Sequence, residues 1–573
     1  MHTDDHDAAA VHLAAALSYH ERTKHDYARP ARSPGYLDWS NQPDPFRRYA
    51  SAPLTLLEQP TGQPTATYEE LYHPGAVAAQ PFDLASVSAL LYHSLALSAW
   101  KSFEGSRWPL RVNPSSGNLH PTEGYVFLPG LTGLDPTSGT ESCGTPGLFH
   151  YAPKEHGLER RARFDDSGWS QLIAGLPSDS FIVGLSSVPW RESWKYGERA
   201  YRYCQHDVGH ALAALRYAAA LQGWTLQVLP NVPHPTQAAL LGLDRAAEFD
   251  SEEPEHPDLL AVVLTNPAQA ETASDISAWK PSAQAVRQLL QASWFGRANT
   301  LSPSHAHWPV IAEVGSACTR TLHSPTIAAP QASPSQPLPL DSSADVPNAS
   351  TILRQRRSAT AFNGTTGMTR DGFYELLSRL LPLRSAVPWD AQTWPTFVHL
   401  GLYVHRVAEL PPGRYALVRE PSQLDALRAS MDSSFSWTRP EGCPDSLPLY
   451  ALNEDNVTRQ ATGVSCGQEI AGDSVFSLGM LAQFDKPLQR YGAALYPMLF
   501  WETGMIGQVL YLEAEAIGLR GTGIGCFFDN PVHRDFGLQD QSFQSLYHFT
   551  IGGAVNDERL STEAAYGDSH EST

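Results

Sequence analysis

The chain has 573 residues, of which 40 are Lys or Arg and 60 are Asp or Glu, giving a formal net charge of −20. At roughly 100–200 residues per domain, this length predicts at least two domains. The acidic balance argues against nucleic acid or an anionic membrane surface as a partner. No apolar run approaches the ~18 residues of a membrane-spanning helix. Residues 1–7 also lack the basic start of a signal peptide, so we expect a cytoplasmic protein.

Both ends of the chain and one internal stretch are predicted to lie outside the folded domains. A helix is predicted from Ala8 to about Asp26, stopping before Pro30. A stretch rich in Pro, Ser and Ala within residues 324–347 is typical of a linker. The predicted division is an N-terminal helical extension (1–35), a first domain (36–310), a linker (311–346), a second domain (347–560) and a disordered tail (561–573).

Cysteine spacing gives no sign of a stabilising framework. The chain has six cysteines and no C-x-x-C pair. We therefore predict neither a disulfide framework nor a thiolate metal site. The six are Cys143, Cys204, Cys318, Cys443, Cys466 and Cys526.

One segment of the sequence occurs twice. Residues 181–243 align without gaps on residues 476–538 at a constant offset of 295, with 11 identities in 63 positions. Because chance rarely keeps such a register, we infer a duplicated domain. Five of the identities are glycine pairs: Gly184/Gly479, Gly197/Gly492, Gly209/Gly504, Gly223/Gly518 and Gly242/Gly537.

Each copy is predicted to contain a strand, a long helix and further strands. Residues 181–185 form a short apolar run with β-branched side chains, typical of a buried strand. Apolar residues recur at helical spacing over 208–219, and Gly223 is predicted to cap that helix. Residues 260–264 and 547–551 are predicted to complete the two sheets. The pattern indicates an α+β fold.

The most informative motif is a loop that leads into a predicted strand. It reads Pro114-Ser115-Ser116-Gly117-Asn118, followed by Leu-His-Pro-Thr-Glu. Glycine, asparagine and small hydroxyl residues let backbone amides and short donors approach a planar, polar ligand closely. A plain turn has the same composition, so composition alone leaves both interpretations open.

This loop resembles the flavin-contacting loop of the nitroreductase-like flavoprotein family, specifically its SagB/ThcOx-type dehydrogenase branch. Further matches are residues 194–202, residues 207–210, interpreted as a helix start, and a closing segment over 553–559. The resemblance covers roughly residues 35–310 and 347–560. It implies two fused nitroreductase-like domains of the α+β class that form an intramolecular pseudo-dimer, so the expected state is a monomer.

The resemblance further implies FMN bound between the halves, touched by both. It also implies that Arg356-Arg357-Ser358, at the end of a helix predicted over 352–358, binds the phosphate. An Arg fork fits phosphate bidentately, although an Arg-Arg-Ser sequence alone is more often a solvated surface. The resemblance places Gly523 and Gly525 beside the edge of the flavin, where glycine would let the backbone approach the ring closely. The alternative is a simple Gly-rich turn between a helix and a strand. The implied cofactor-binding residues are Pro114, Ser115, Ser116, Gly117, Asn118, Arg356, Arg357, Ser358, Gly523, Gly525 and Arg559.

Lys195 and Tyr196 resemble the Lys-Tyr pair that azoline-oxidising members use near the substrate. A desolvated amine or a phenol can move a proton while a flavin takes a hydride. The alternatives are a solvent-exposed lysine and a packing tyrosine, since Tyr196 recurs as Tyr491.

The expected function is an FMN-dependent dehydrogenase that oxidises a C–H/N–H unit, such as azoline to azole, in a peptide or small natural product, with oxygen as the electron acceptor. One alternative is an NAD(P)H-dependent nitro or quinone reductase. A metal hydrolase built on His206 and His210, which lie four residues apart, is another. Gly209 interrupts that motif and no third ligand is marked, so no metal is predicted. The last alternative is a catalytically inactive scaffold.

One FMN is expected per chain. With Pro114 aligned on Pro388, Trp389 and Asp390 stand where the first copy has small donors. An indole would fill the space of the ring, and a carboxylate would repel an electron-rich flavin. A second FMN would also need basic residues of the first half to bind its phosphate, and the first half has only the Arg pair within residues 46–49 for this role.

Overall fold

The computed structural model of the chain describes residues 2–60, 62, 65–135, 144–266, 276–327 and 347–567. The strands are β1 (Tyr49–Ala50), β2 (Leu54–Leu56), β3 (Leu97–Phe103), β4 (Ser106–Arg111), β5 (Thr122–Leu128), β6 (Gly147–Ala152), β7 (Gly157–Arg163), β8 (Ser180–Ser187), β9 (Thr225–Val228), β10 (His256–Leu264), β11 (Ser293–Trp294), β12 (Arg297–Ala298), β13 (Val398–Val404), β14 (Gly413–Leu417), β15 (Leu449–Glu454), β16 (Phe476–Gln483), β17 (Arg520–Ile524), β18 (Phe543–Gly552) and β19 (Ser561–Glu563). The α-helices are α1 (His2–Arg22), α2 (Leu84–Tyr92), α3 (Asp166–Leu172), α4 (Pro189–Tyr196), α5 (Ala200–Leu221), α6 (His234–Leu241), α7 (Ala283–Leu290), α8 (Pro309–Ala317), α9 (Ala349–Gln355), α10 (Arg370–Ser378), α11 (Leu424–Ser430), α12 (Thr458–Val464), α13 (Glu469–Gly472), α14 (Asp485–Tyr491), α15 (Tyr496–Ala516) and α16 (Asp529–Phe536).

Two antiparallel sheets form the centres of the two halves. The first has the order β11-β7-β6-β5-β8-β10-β9, with β2 beside β7, and the second has the order β15-β14-β13-β16-β18-β17. Strands β8 and β16 are buried along nearly their whole length, as the apolar run over 181–185 predicts. The predicted strands over 260–264 and 547–551 lie within β10 and β18, next to these central strands.

The duplication predicted from the sequence is confirmed element by element. The offset of 295 carries β8 onto β16, α5 onto α15, β9 onto β17, and α6 onto α16. The paired glycines have matching roles, since Gly242 and Gly537 both end a helix in the left-handed conformation, with φ of 72° and 70°. The chain is therefore two copies of one α+β unit.

The two long helices α5 and α15 cross at a pair of glycines. A Cβ on Gly209 would lie 2.2 Å from the carbonyl oxygen of Trp501, and a Cβ on Gly504 would lie 2.2 Å from that of His206. Both helices are buried over almost their full length. Only glycine permits this backbone approach, so the repeated pair Gly209/Gly504 marks the internal pseudo-symmetry of the molecule.

Three predicted helix boundaries differ from the structure. Helix α1 begins at His2 and ends at Arg22, earlier than the predicted range. Residues 207–210 lie in the middle of α5, because the helix continues through Gly209 to meet its partner. Helix α9 ends at Gln355, so the predicted Arg-Arg-Ser motif follows the helix.

The predicted linker and tail are partly structured. Residues 309–317 form α8, whose buried Val310 and Val314 belong to the main core and which contacts α1. Strand β19 pairs with β3, and the Tyr566 hydroxyl donates to the carbonyl of Pro153, so residues 561–567 are ordered against the first half. Residues 328–346 and 568–573 lie outside the described residues, and the two domain boundaries stay predictions.

In the part of the chain that the structure describes, no helix is long and apolar enough to cross a membrane.

Replacing Gly209 or Gly504 by alanine tests the helix crossing. We expect each variant to lose about 1–3 kcal/mol of unfolding free energy, because the added Cβ overlaps a backbone carbonyl that cannot move freely. Urea unfolding measures this loss. Gly315→Ala is the matched control, since that helical glycine has open space out to 3.9 Å and alanine is a better helix former. Equal stability of Gly209→Ala and Gly315→Ala would contradict the role given to the crossing.

Candidate functional site

A cavity of about 870 Å³ lies between the two halves. This volume is within the range of cofactor and substrate sites. The first half contributes the loop over 113–118, and the second contributes residues 355–360 and 522–526. Further lining residues used below are Lys101, Tyr196, Asp207, His210, Tyr511 and Arg520. The structure thus brings the predicted loop and the predicted Arg-Arg-Ser motif to one cavity.

Asp207 on α5 fixes the loop. The backbone amide of Ser116 donates to both carboxylate oxygens of Asp207 at 3.0 and 3.1 Å, and the Ser116 hydroxyl donates at 2.9 Å. Gly117 has φ 58°, and a Cβ there would lie 2.5 Å from the Tyr196 hydroxyl. Two independent reasons therefore favour glycine at position 117: its left-handed backbone conformation and its close contact with Tyr196.

Two buried carboxyl groups lie beside the loop. Burial raises the pKa of Asp207 to about 7, although hydrogen bonds from Ser115 and Ser116 oppose the shift. Glu192 on α4 is fully buried, and neither of its carboxylate oxygens has a hydrogen-bond partner among the described residues. Burial and then the neighbouring Asp207 raise the pKa of Glu192 well above its ordinary value. Both groups therefore hold a proton more readily than a solvated carboxyl.

The structure separates the two predicted catalytic residues. Tyr196 lines the cavity, whereas Lys195 lies outside its lining, with Nζ 5.3 Å from the centre of the Tyr196 ring. Burial, followed by the nearby Glu192, raises the pKa of Tyr196 well above its ordinary value. Tyr196 is thus a protonated phenol that can donate a hydrogen bond, and Lys195 can act only through its neighbours.

Four cations, Lys101, Arg356, Arg357 and Arg520, gather at one part of the wall and are called the cationic group below. Buried Arg356 donates from Nε to the carbonyl of Val112 at 3.2 Å. Burial and then neighbouring Arg356 lower the pKa of Arg357 to about 10. Neither arginine makes a carboxylate ion pair among the described residues, whereas Arg520 has one, with Glu515 at 3.3 Å. Because these neighbouring positive charges repel one another, a phosphate bound between them would be stabilised.

Arg559 is a predicted phosphate ligand that the structure does not bring to the cavity. Its side chain is 74% exposed, and its guanidinium donates to Asp557 at 2.7 and 2.8 Å. Arg520, at the start of the edge strand β17, stands in the cavity instead. Ser358 does line the cavity, with its hydroxyl 2.9 Å from that of Tyr511.

Gly523 and Gly525 line the cavity, but the close approach there is made by tyrosine side chains. A Cβ on Gly523 would lie 1.9 Å from the Tyr547 hydroxyl, and one on Gly525 would lie 2.0 Å from the Tyr203 ring. Gly523 lies in the edge strand β17 rather than in the alternative Gly-rich turn, and Gly525 follows that strand. These glycines therefore set the position of two aromatic residues, and Tyr203 in turn packs 4.4 Å from the Tyr196 ring.

The corresponding region of the second copy is filled by protein. Trp389 is buried and donates from Nε1 to the carbonyl of Arg379 at 2.9 Å. Asp390 forms an ion pair with Arg216 of α5 at 2.6 Å. The Arg pair within residues 46–49 faces carboxylates, with Arg47 Nε 3.4 Å from Glu255. The predicted replacement of small donors by bulky and charged side chains therefore corresponds to a packed interface.

His206 and His210, the alternative metal ligands, both bond to the second half. His206 Nδ1 lies 2.9 Å from the Thr503 hydroxyl, and His210 Nε2 lies 3.2 Å from the Tyr547 hydroxyl. Burial lowers the pKa of both imidazoles. Their positions on either side of Gly209 give them a role in holding the two long helices together.

Arg520 and Asp207 are among the site residues that were not predicted from the sequence. Arg520 aligns with Thr225 of the first copy, so no repeated pattern marks it. Asp207 was noted only as part of a supposed helix start, although an acidic residue inside an apolar helix is itself a signal of a buried partner.

No protein-family model and no curated protein sequence matches the chain. Its fold is similar to the crystal structure of a protein assigned as a nitroreductase in Anabaena variabilis, with a TM-score of 0.66 and 21% identity, covering 94% of this chain and 99% of that one. A weaker similarity is to the E. coli microcin synthetase McbBCD complex, with a TM-score of 0.27 and 19% identity, covering 35% of this chain and 70% of that one. Another is to a protein assigned as a nitroreductase in Ralstonia eutropha, with a TM-score of 0.26 and 15% identity, covering 40% of this chain and 90% of that one. The chain therefore has the fold of two fused nitroreductase-like domains.

Proposed function

We propose that the chain is an FMN-dependent oxidoreductase with one composite site between its two halves. The observation that carries this proposal is the convergence of the 113–118 loop and the cationic group on a single cavity. The loop comes from the first half and the three arginines of the cationic group come from the second, which is the arrangement that the resemblance implies for a flavin shared by two protomers. The packed Arg216–Asp390 region supports a single FMN per chain.

The residues of the cavity fit such a cofactor. The cationic group is suited to hold the phosphate, because Arg356 and Arg357 have no carboxylate partner among the described residues. Ser115 and Ser116 are small and line the cavity, so a planar ring can approach this part of the loop. Bound FMN would supply the chemistry of hydride acceptance.

The chain's own residues would handle the proton that leaves with the hydride. Asp207 lines the cavity with a pKa of about 7, so its carboxylate can accept a proton near neutral pH. Its hydrogen bonds to Ser116 hold that carboxylate in place. Tyr196, a protonated phenol packed on Gly117, would orient the substrate by donating a hydrogen bond, and Lys195 would act through Tyr196 as a positioning residue.

The substrate class we propose is a C–H/N–H unit such as an azoline in a peptide or small natural product, with oxygen taking the electrons. Support comes from the Lys195-Tyr196 pair, which resembles that of azoline-oxidising relatives, and from an ionisable base beside the same cavity. Reduction of nitroaromatics or quinones by NAD(P)H is the competing outcome that the assays below distinguish.

Replacing Arg356 or Arg520 by alanine tests the cofactor site. Each change removes a charge-assisted contact of about 1.5–3 kcal/mol, so we expect FMN affinity to fall about ten- to hundredfold. Fluorescence titration of the apoprotein with FMN measures this affinity, and flavin released on denaturation should approach one per chain. Arg559→Ala is the matched control and should bind like the wild type, because Arg559 is exposed and paired with Asp557. A loss with Arg559→Ala alone, or a ratio near two, would contradict the composite site.

Replacing Tyr196 by phenylalanine tests the reaction. We expect FMN to stay bound while oxidation of a thiazoline-containing peptide slows about 10²-fold, because the donor to the substrate is lost. Lys195→Ala should have a smaller effect, since Lys195 lies outside the cavity lining. Oxygen consumption with the thiazoline measures turnover. NADPH oxidation with a nitroaromatic, in the absence of any thiazoline oxidation, would favour the reductase instead.

The pH dependence of stability tests the environment of Asp207. Its folded-state pKa of about 7 lies above the unfolded value near 3.9, so its contribution is fully present below about pH 4 and is lost as pH rises through 7. We expect Asp207→Asn to remove a decline on the order of 1–4 kcal/mol between these limits. Urea unfolding of both proteins at pH 5 and pH 8 measures the difference, and parallel pH profiles would contradict the shift.

A further inference from the structure

Two cysteines from distant parts of the sequence meet at the cavity wall. Cys466 lies in the turn between α12 and α13, and Cys526 follows strand β17. They are 60 residues apart in the chain, yet their Sγ atoms lie 2.9 Å from each other. Cys526 is exposed and lines the cavity, whereas Cys466 is half-buried. No other pair of described cysteines is in contact.

The backbone around the pair holds the two sulfur atoms together. Gln468 donates from Nε2 to the carbonyl of Cys526 at 3.1 Å and to that of Ser465 at 2.9 Å, which links the two segments. Cys466 itself has φ 55°, a left-handed conformation that non-glycine residues seldom adopt. The turn is thus shaped so that the Cys466 side chain faces Cys526.

The surroundings favour a thiolate at Cys526. Hydrogen bonding with Cys466, followed by His25 and Arg199, lowers the pKa of Cys526 below its ordinary value, although burial opposes the shift. Asp529 partly offsets the charge of Arg199, with which it forms an ion pair at 2.9 Å. An accessible, low-pKa thiol beside a second thiol is the arrangement found in reactive cysteine pairs.

We propose that Cys526 and Cys466 form a redox-active dithiol–disulfide site on the cavity wall, with small disulfides as its oxidants. The Cys526 thiolate attacks one sulfur of a small disulfide RSSR, forming a mixed disulfide and releasing one thiolate. Cys466, once deprotonated, attacks the Cys526 sulfur and releases the second. In balance, two protein thiols and RSSR give one protein disulfide and two RSH, so two electrons pass from the protein to RSSR.

This site is separate from the proposed flavin chemistry and needs no cofactor. Its oxidised form would join the α12–α13 turn covalently to the end of β17. That strand also carries Gly523, and Gly525 follows it at the cavity. Oxidation would therefore fix the wall next to Tyr203 and Tyr196, and would make the cavity responsive to the thiol–disulfide balance of its surroundings.

Thiol labelling of the purified full-length protein after equilibration with mixtures of reduced and oxidised glutathione tests the proposal. We expect two of the six thiols to lose reactivity toward N-ethylmaleimide together, with the loss of two hydrogens in the intact mass and a linked peptide containing Cys466 and Cys526. Dithiothreitol should restore both. Retention of both thiols in oxidised glutathione, or glutathione held on Cys526 without closure of the pair, would overturn the proposal.

Single variants separate the two roles without any measurement of activity. Cys466→Ser should stop at a stable glutathione adduct on Cys526, because the resolving thiol is absent, and Cys526→Ser should leave Cys466 largely unmodified. Cys443→Ser is the matched control: Cys443 is half-buried and donates to the Leu447 carbonyl at 3.5 Å, so the other two thiols should still be lost together. Equal glutathione uptake by both single variants would contradict the assignment of Cys526 as the attacking thiol.

Discussion

The close crossing of α5 and α15 is the constraint on which the rest of the structure depends. Because Gly209 and Gly504 have no side chains, the two helices meet backbone to backbone at the centre of the molecule. Asp207 and His210 of α5 and Tyr511 of α15 then reach the same cavity from different halves. A wider separation of the helices would draw the two walls apart, so the geometry of the cavity depends on a contact between residues outside its lining.

Equivalent positions on the two crossing helices have different surroundings in the two copies. Position 207 is an aspartate that binds the Ser116 amide, whereas the equivalent Glu502 accepts amides of the adjoining strand and pairs with Arg419. Tyr511 at the open cavity corresponds to Arg216 at the packed one. Each exchange places an internal ion pair in the second copy, which explains why that region is packed while the first copy faces a cavity.

The sequence predicted those features that are periodic or locally encoded. The repeat offset, the apolar central strand and the small-residue loop depend on spacing and composition, and the structure confirms the first two and places the third at the cavity. Arg520 and Arg559 show the limit of this reasoning. Both are isolated basic residues near the end of the chain, and only tertiary packing decides that Arg520 faces the cavity while Arg559 pairs with Asp557. The helix start expected at 207–210 was wrong because Gly209 serves a helix contact rather than a terminus.

The wall of the open cavity carries both acidic and basic groups. Glu192 and Asp207 are buried near Tyr196, whereas Arg356 and Arg357 belong to the cationic group. Burial raises the pKa of Tyr547, which interacts electrostatically with both Asp207 and Arg356. A ligand that offers an anionic group to the cationic group and a proton to Asp207 would match these side chains. At the packed region of the second copy, buried Arg216 pairs with the partly exposed Asp390, so removing Asp390 alone would leave the buried charge of Arg216 without its carboxylate partner. The difference between the two halves therefore depends on this ion pair as well as on packing.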